Sequence, residues 1–136
     1  MLGQIAHPRP NPDGAEWVMR AAESWAIVVP EIADCEIRRE ILRIRSIRGL
    51  SRLDRLGQTL GYAPFATDIM RRAAQLWADA RNAGHPTAAS HALDADVLLA
   101  ATALEILPAN RVIVATTNVR HLGRFVDARR WQDIPV

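Results

Sequence analysis

The chain has no lysine, one cysteine, few aromatic residues and no apolar run long enough to cross a bilayer. Each absence excludes something. With Cys35 as the sole cysteine no intrachain disulfide can form, and a small core residue in a reducing compartment is the expected role. The longest apolar stretch, Val97 to Leu107, is interrupted by Glu105 and is too short for a transmembrane helix. Met1 to Pro8 lacks the charged and apolar regions of a signal peptide, so a cytoplasmic protein with no membrane partner is expected. There is no G-x-G-x-x-G, Walker loop, G-x-S-x-G elbow or H-E-x-x-H, and the four histidines and Cys35 show no zinc spacing. Dinucleotide, P-loop, α/β-hydrolase and zincin chemistries are therefore set aside.

What is present is an ordinary globular balance, 49% apolar and 24% charged over 136 residues, enough for a single domain spanning residues 1–136 with one core. All 17 cationic side chains are arginine, and the net charge is +2. Alanine is also abundant, so arginine usage is explained as well by a GC-rich genome as by function. The high pI partly reflects arginine's own pKa and does not by itself indicate nucleic acid.

The pattern along the chain alternates helices with short apolar strands, which indicates a three-layer α/β domain. His7 to Gly14 reads as a loop, with Asp13 capping a helix from Ala15 to Ser24. Ala26 to Val29 reads as a strand buried on both faces, stopped by Pro30. A helix follows to about Ser46, with Ile37, Ile41 and Ile44 on one stripe. Gly49 breaks it, and Ser51 caps another helix through Leu60. Tyr62 to Ala66 reads as an edge strand or loop. Thr67 caps a long helix ending at Gly84. A helix opening at Asp94 and Asp96 runs to about Leu107. Val112 to Ala115 is a second buried strand, and Trp131 to Pro135 a last short one.

Chemistry concentrates at a helix start and a strand end. Asp96 opens an apolar helix, and Asn118 closes the strand Arg111-Val112-Ile113-Val114-Ala115-Thr116-Thr117-Asn118. Strand carboxyl ends and helix amino ends are where α/β proteins place their sites. One aspartate suffices as a helix cap, and Asp94 is the better placed. Asp96 is then left in the first turn, on the face of Ala100 and Ala103, as a candidate ligand for a divalent cation. Glu36 lies one helical turn beyond the first strand; taken alone, a solvated face paired with Arg39 and Arg43 accounts for it. Asn118 offers an amide donor and a carbonyl oxygen, but also suits a turn. His121 could shuttle a proton, although a backbone-bonded loop histidine is the simpler role. Seven arginines (Arg38, Arg39, Arg43, Arg45, Arg48, Arg52, Arg55) face only Glu40 and Asp54 across that stretch. They suit phosphates or an acidic partner and, equally, a solvated face.

Three segments together, Pro30-Glu31-Ile32-Ala33-Asp34-Cys35-Glu36-Ile37-Arg38-Arg39-Glu40, the helix start Asp96-Val97-Leu98-Leu99-Ala100-Ala101, and Thr116-Thr117-Asn118-Val119-Arg120-His121-Leu122, resemble PIN-domain proteins, most of all the VapC-type toxins of bacterial toxin–antitoxin pairs. The resemblance covers nearly the whole chain. It implies a short parallel sheet flanked by helices and a Mg²⁺- or Mn²⁺-dependent endoribonuclease. It implies Glu36, Asp96 and Asn118 as catalytic positions, with Glu36 and Asp96 as metal ligands. Arg39, Thr116 and Thr117 are then candidates for holding the RNA substrate. A homodimer and an antitoxin partner are further implications.

One departure accompanies it. The family pattern begins with a central strand ending in an Asp-Thr-Asn-like element, and Met1-Leu2-Gly3 looks like the segment just after it. With that strand and its aspartate missing, cleavage by this chain is expected to be weak or absent. An upstream start that supplies the strand, or a degenerate protein, would each account for this. A non-catalytic scaffold binding an antitoxin or RNA is the alternative function. A plain interaction domain that dimerises through its helices is a third.

Overall fold

The computed structural model describes residues 1–85, 94–106 and 111–136, and within them the chain is mixed α/β, mostly helical, with short parallel strands. They form two compact units, Met1–Pro64 with Trp131–Val136, and Phe65–Arg130. Among the described residues no helix is long and apolar enough to cross a membrane.

The first unit opens on a short helix, α1 (Leu2–Ala6), which the sequence pattern did not suggest. Helix α2 spans Pro12–Ala21. Its cap is Asn11 and not the expected Asp13: the Asn11 side chain accepts from Asp13 N at 3.0 Å and Gly14 N at 3.4 Å. Pro12 then occupies the first turn, where a missing N–H costs nothing.

Strand β1 (Val28–Pro30) leads directly into helix α3 (Glu31–Arg43). The expected stripe on α3 holds for Ile37 and Ile41 but not for Ile44, which is 43% exposed. The helix has closed before it. The N–H groups of Ile44, Arg45 and Ser46 bond back to Glu40, Leu42 and Ile41, and Arg45 sits at φ 53°. That left-handed residue ends the helix in the manner usually given to glycine.

Helix α4 spans Ile47–Thr59 and is capped by Ser46, which accepts from Gly49 N at 3.1 Å. Gly49 therefore lies inside the first turn and does not break the helix, and Ser51 is not a cap. A Cβ at Gly49 would lie 3.2 Å from Ile41 Cγ2 and 3.3 Å from the carbonyl oxygen of Ala6. Glycine there lets α1, α3 and α4 meet closely, which is a tertiary demand. Ala6, Ile41 and Leu53 are buried together at that junction, with Leu2, Ile37, Leu50 and Leu56 packed around them.

After α4, strand β2 (Gly61–Ala63) pairs parallel to β1, with Val28 opposite Gly61 and Pro30 opposite Ala63. A parallel pair needs a long crossover, and α3 and α4 supply it. The last residues form a 3₁₀ turn, Trp131–Asp133, where a strand was expected. Indole N–H groups of Trp17 and Trp25 donate to the carbonyls of Ile134 and Pro135 at 3.4 and 3.2 Å, so this segment bonds to side chains instead of a sheet.

The second unit begins with helix α5 (Thr67–Asn82). Thr67 is its first residue and not its cap; the cap is Ala66, without a side-chain bond. Helix α6 (Ala95–Ile106) is apolar around most of its circumference, with Val97, Leu98 and Ala100–Ala103 buried. A helix that is apolar all round is a buried one. The second parallel pair comprises β3 (Val114–Ala115) and β4 (Ala128–Arg129), with a one-turn helix, α7 (Val119–Leu122), between them. Strand β4 was not anticipated, because two residues carry no alternation. Ala100 and Ala103 of α6 form the core of this unit with Val114 and Leu122. The small-residue face read from the sequence thus brings α6 against β3 and α7, the elements that flank Asn118.

Candidate active site

The site forms where α6 begins and β3 ends, within the second unit. Asp94 is buried and accepts the Val97 N–H at 3.2 Å, while its backbone carbonyl takes Leu98 N at 3.0 Å. It is the helix cap, as its position suggested. With Asp94 in that role, Asp96 in the first turn is free to turn outward. Its side chain is about one-quarter exposed.

Asn118 precedes α7 in the capping position, yet its side chain makes no capping bond. Its Nδ2 instead donates to Asp96 Oδ2 at 2.7 Å. The turn that aims it is local: Asn118 N donates to Thr116 Oγ1 at 3.0 Å. Thr116 is thereby a shaping residue, and Thr117 beside it is exposed. One turn into α7, His121 Nδ1 lies 3.8 Å from the same Asp96 oxygen, too far for a hydrogen bond. The sequence had given His121 a minor part. Its three-residue spacing from Asn118, once the turn after β3 is helical, is the signal that places both side chains toward Asp96.

Asp96 is an unusual carboxylate. Burial, then the nearby charge of Asp94, pushes its pKa above the ordinary aspartate range. His121 and the Asn118 amide pull the other way and do not cancel the rise. Among the described residues its Oδ1 accepts no hydrogen bond. The corner therefore presents one oxygen held by an amide, one oxygen available, an amide carbonyl and an imidazole. That set can accept a proton, orient a water or hold a cation. Asp94→Asn keeps the capping oxygen and removes the second charge. The expected outcome is an Asp96 pKa closer to the ordinary range with α6 intact, measured by carboxyl-carbon NMR titration.

Glu36 and Arg39 belong to the first unit. Glu36 is nearly half exposed on α3 and sits 3.8 Å from Arg39, a loose surface pair. In the same unit Arg38 is clamped, donating to both oxygens of Asp34 at 2.9 and 3.0 Å and lying 2.8 Å from Asp54. These three line a shallow cavity of about 290 Å³ with Tyr62.

Among the described residues no three His, Cys, Asp or Glu side chains are grouped to hold a metal ion. The corner itself offers one available carboxylate, which is the low end of what Mg²⁺ takes from a protein. Comparison with protein-family models, with curated proteins and with solved structures finds no match to this chain.

Proposed function

We propose that this chain is a PIN-like, VapC-type scaffold that acts on RNA phosphodiesters through the Asp96–Asn118–His121 corner, with weak metal-dependent cleavage. The 2.7 Å bond between Asn118 and Asp96 carries the proposal. It joins a strand's carboxyl end to a helix's amino end, at the two positions that the resemblance names. The three-layer PIN arrangement is supported by two parallel strand pairs with helical connections.

The donor set fits one loosely held Mg²⁺ or Mn²⁺, with Asp96 as its anionic ligand. Such an ion, when bound, supplies positive charge to the phosphate oxygens and to water. The residues do the rest. Asn118 fixes the orientation of the Asp96 carboxylate and keeps its own carbonyl oxygen for water or substrate. His121 keeps a second titratable group facing the carboxylate. Thr117 lies at the exposed edge, where a phosphate can approach.

Calorimetric titration with Mn²⁺ and Mg²⁺, with cleavage of an end-labelled single-stranded RNA, tests the proposal. Millimolar binding and slow cleavage are expected. For Glu36→Gln, loss of that cleavage is expected from the family resemblance, and unchanged cleavage removes Glu36 from the site. The second reading is a non-catalytic scaffold that binds RNA or an antitoxin; among the described residues no three metal-ligating side chains are grouped. Binding of RNA with no metal-dependent heat and no cleavage is its signature. Light scattering addresses the proposed homodimer.

A further inference from the structure

Arginine is distributed unevenly between partners on α3 and α4. Arg38 is neutralised by Asp34 and Asp54, and Arg43 by Glu40. Among the described residues, Arg45, Arg48 and Arg55 face no acidic side chain, and Arg52 bonds only to the carbonyl oxygen of His7. Positions 48, 52 and 55 follow one another at i, i+4 and i+7. They fall on one strip of α4, with Arg48 and Arg55 exposed and Arg52 half-buried, turned roughly 110° about the axis from the buried Gly49 and Leu53. Over seven residues the strip extends about 10 Å along the helix axis.

We infer that the Arg48–Arg52–Arg55 strip of α4 is a metal-independent, sequence-tolerant anchoring surface for the phosphates of single-stranded RNA. Guanidinium forks bind phosphate oxygens in pairs and do not read bases. A second copy of the chain is a poor occupant, because a symmetric contact would oppose like charges. An acidic peptide would need apolar anchors beside the charges. The other side chain on this arc is Thr59, and the nearest exposed aliphatic on the helix, Ile47, points about 100° away around the axis. A polyanion held by charge alone needs only what the strip offers.

The choice of RNA rests on the proposed function, but the test separates the two. Binding of a fluorescein-labelled 20-nucleotide poly(U) strand is followed by anisotropy in EDTA, from about 50 to 300 mM salt. Three phosphate contacts on a single strand correspond to a slope of about −2 in log K against log salt. Arg48→Ala with Arg55→Ala is expected to flatten the slope by about 1.4 and to weaken binding roughly tenfold at the lowest salt. This pair leaves the Arg52–His7 bond in place, and circular dichroism checks the fold. Replacement of both by lysine should keep the slope. Asp96→Asn should bind as the parent does, so loss of cleavage there leaves this inference standing. An unchanged slope in the double alanine variant overturns it. Displacement of the RNA by poly-glutamate at equal charge concentration also overturns it, in favour of an acidic protein partner.

Discussion

Asp96→Asn lowers Mn²⁺-dependent RNA cleavage at least about a hundredfold and leaves the protein as stable as before or more so. The first part follows from the ligand count. Among the described residues one available carboxylate faces the site, and neutralising it removes the anionic ligand proposed for the ion. Loss of a ligand or its support typically costs ten- to a hundredfold in metal affinity, with more in rate where chemistry depends on it. The second part follows from linkage. The Asp96 pKa is raised in the folded state, by burial and by Asp94. Between the unfolded and folded pKa values the native state then holds more protons than the unfolded one. Stability from this group is full below the unfolded pKa and falls as pH rises through the folded one. At neutral pH the ionised Asp96 is therefore a cost that asparagine removes, while the Asn118 amide still finds an oxygen. Thermal melts at pH 4 and pH 7 with cleavage assays check both parts. A variant that loses stability and activity together would make Asp96 a structural residue and remove it from the chemistry.

That trade is the form in which a site becomes legible from a sequence. Asp94 as cap could be read because capping is local chemistry: a short acidic side chain, then an apolar helix. Asp96 could be singled out because a second acid has no capping work left. Asn118 could be read as a strand-end residue, in the place where parallel α/β units put their sites; its hydrogen bond to Asp96 came from the structure. The misreadings have the opposite character. Gly49 looked like a helix breaker because glycine is a poor helix former, yet its reason is the carbonyl of Ala6 at 3.3 Å, forty-three positions earlier in the chain. Asp13 and Thr67 looked like caps, and Asn11 and Ala66 hold those places. Trp131 to Pro135 was read as a last short strand, but the carbonyls of Ile134 and Pro135 are taken by two indoles of the first unit. Local rules carried the ends of α6 and β3, and distant partners decided the rest.

Arg38→Met is expected to destabilise the first unit by about 2–4 kcal/mol, the largest loss from any charged residue there. Arg38 is one-third exposed, while the Asp34 carboxylate it grips is only 12% exposed. Removing the guanidinium leaves that carboxylate in a poorly hydrated place with both oxygens unpaired. It also cuts the tie from α3 to Asp54 on α4. Asp54→Asn should cost less than about 1 kcal/mol, because that side chain is nearly half exposed and water replaces its partner. Hydrogen bonds that Arg38 donates to Asp34, then to Asp54, raise its pKa above its already high ordinary value. A cation whose folded pKa is raised stabilises below its unfolded pKa and loses that contribution only as pH climbs through the folded one. For Arg38 this lies beyond any usable pH, so the difference between parent and variant should be flat from pH 6 to 9 in urea titrations. Arg38→Met combined with Asp34→Leu should recover most of the loss, since an apolar pair leaves no buried charge behind. Without that recovery, the contribution of Arg38 would lie in the packing of its aliphatic stem and not in the clamp.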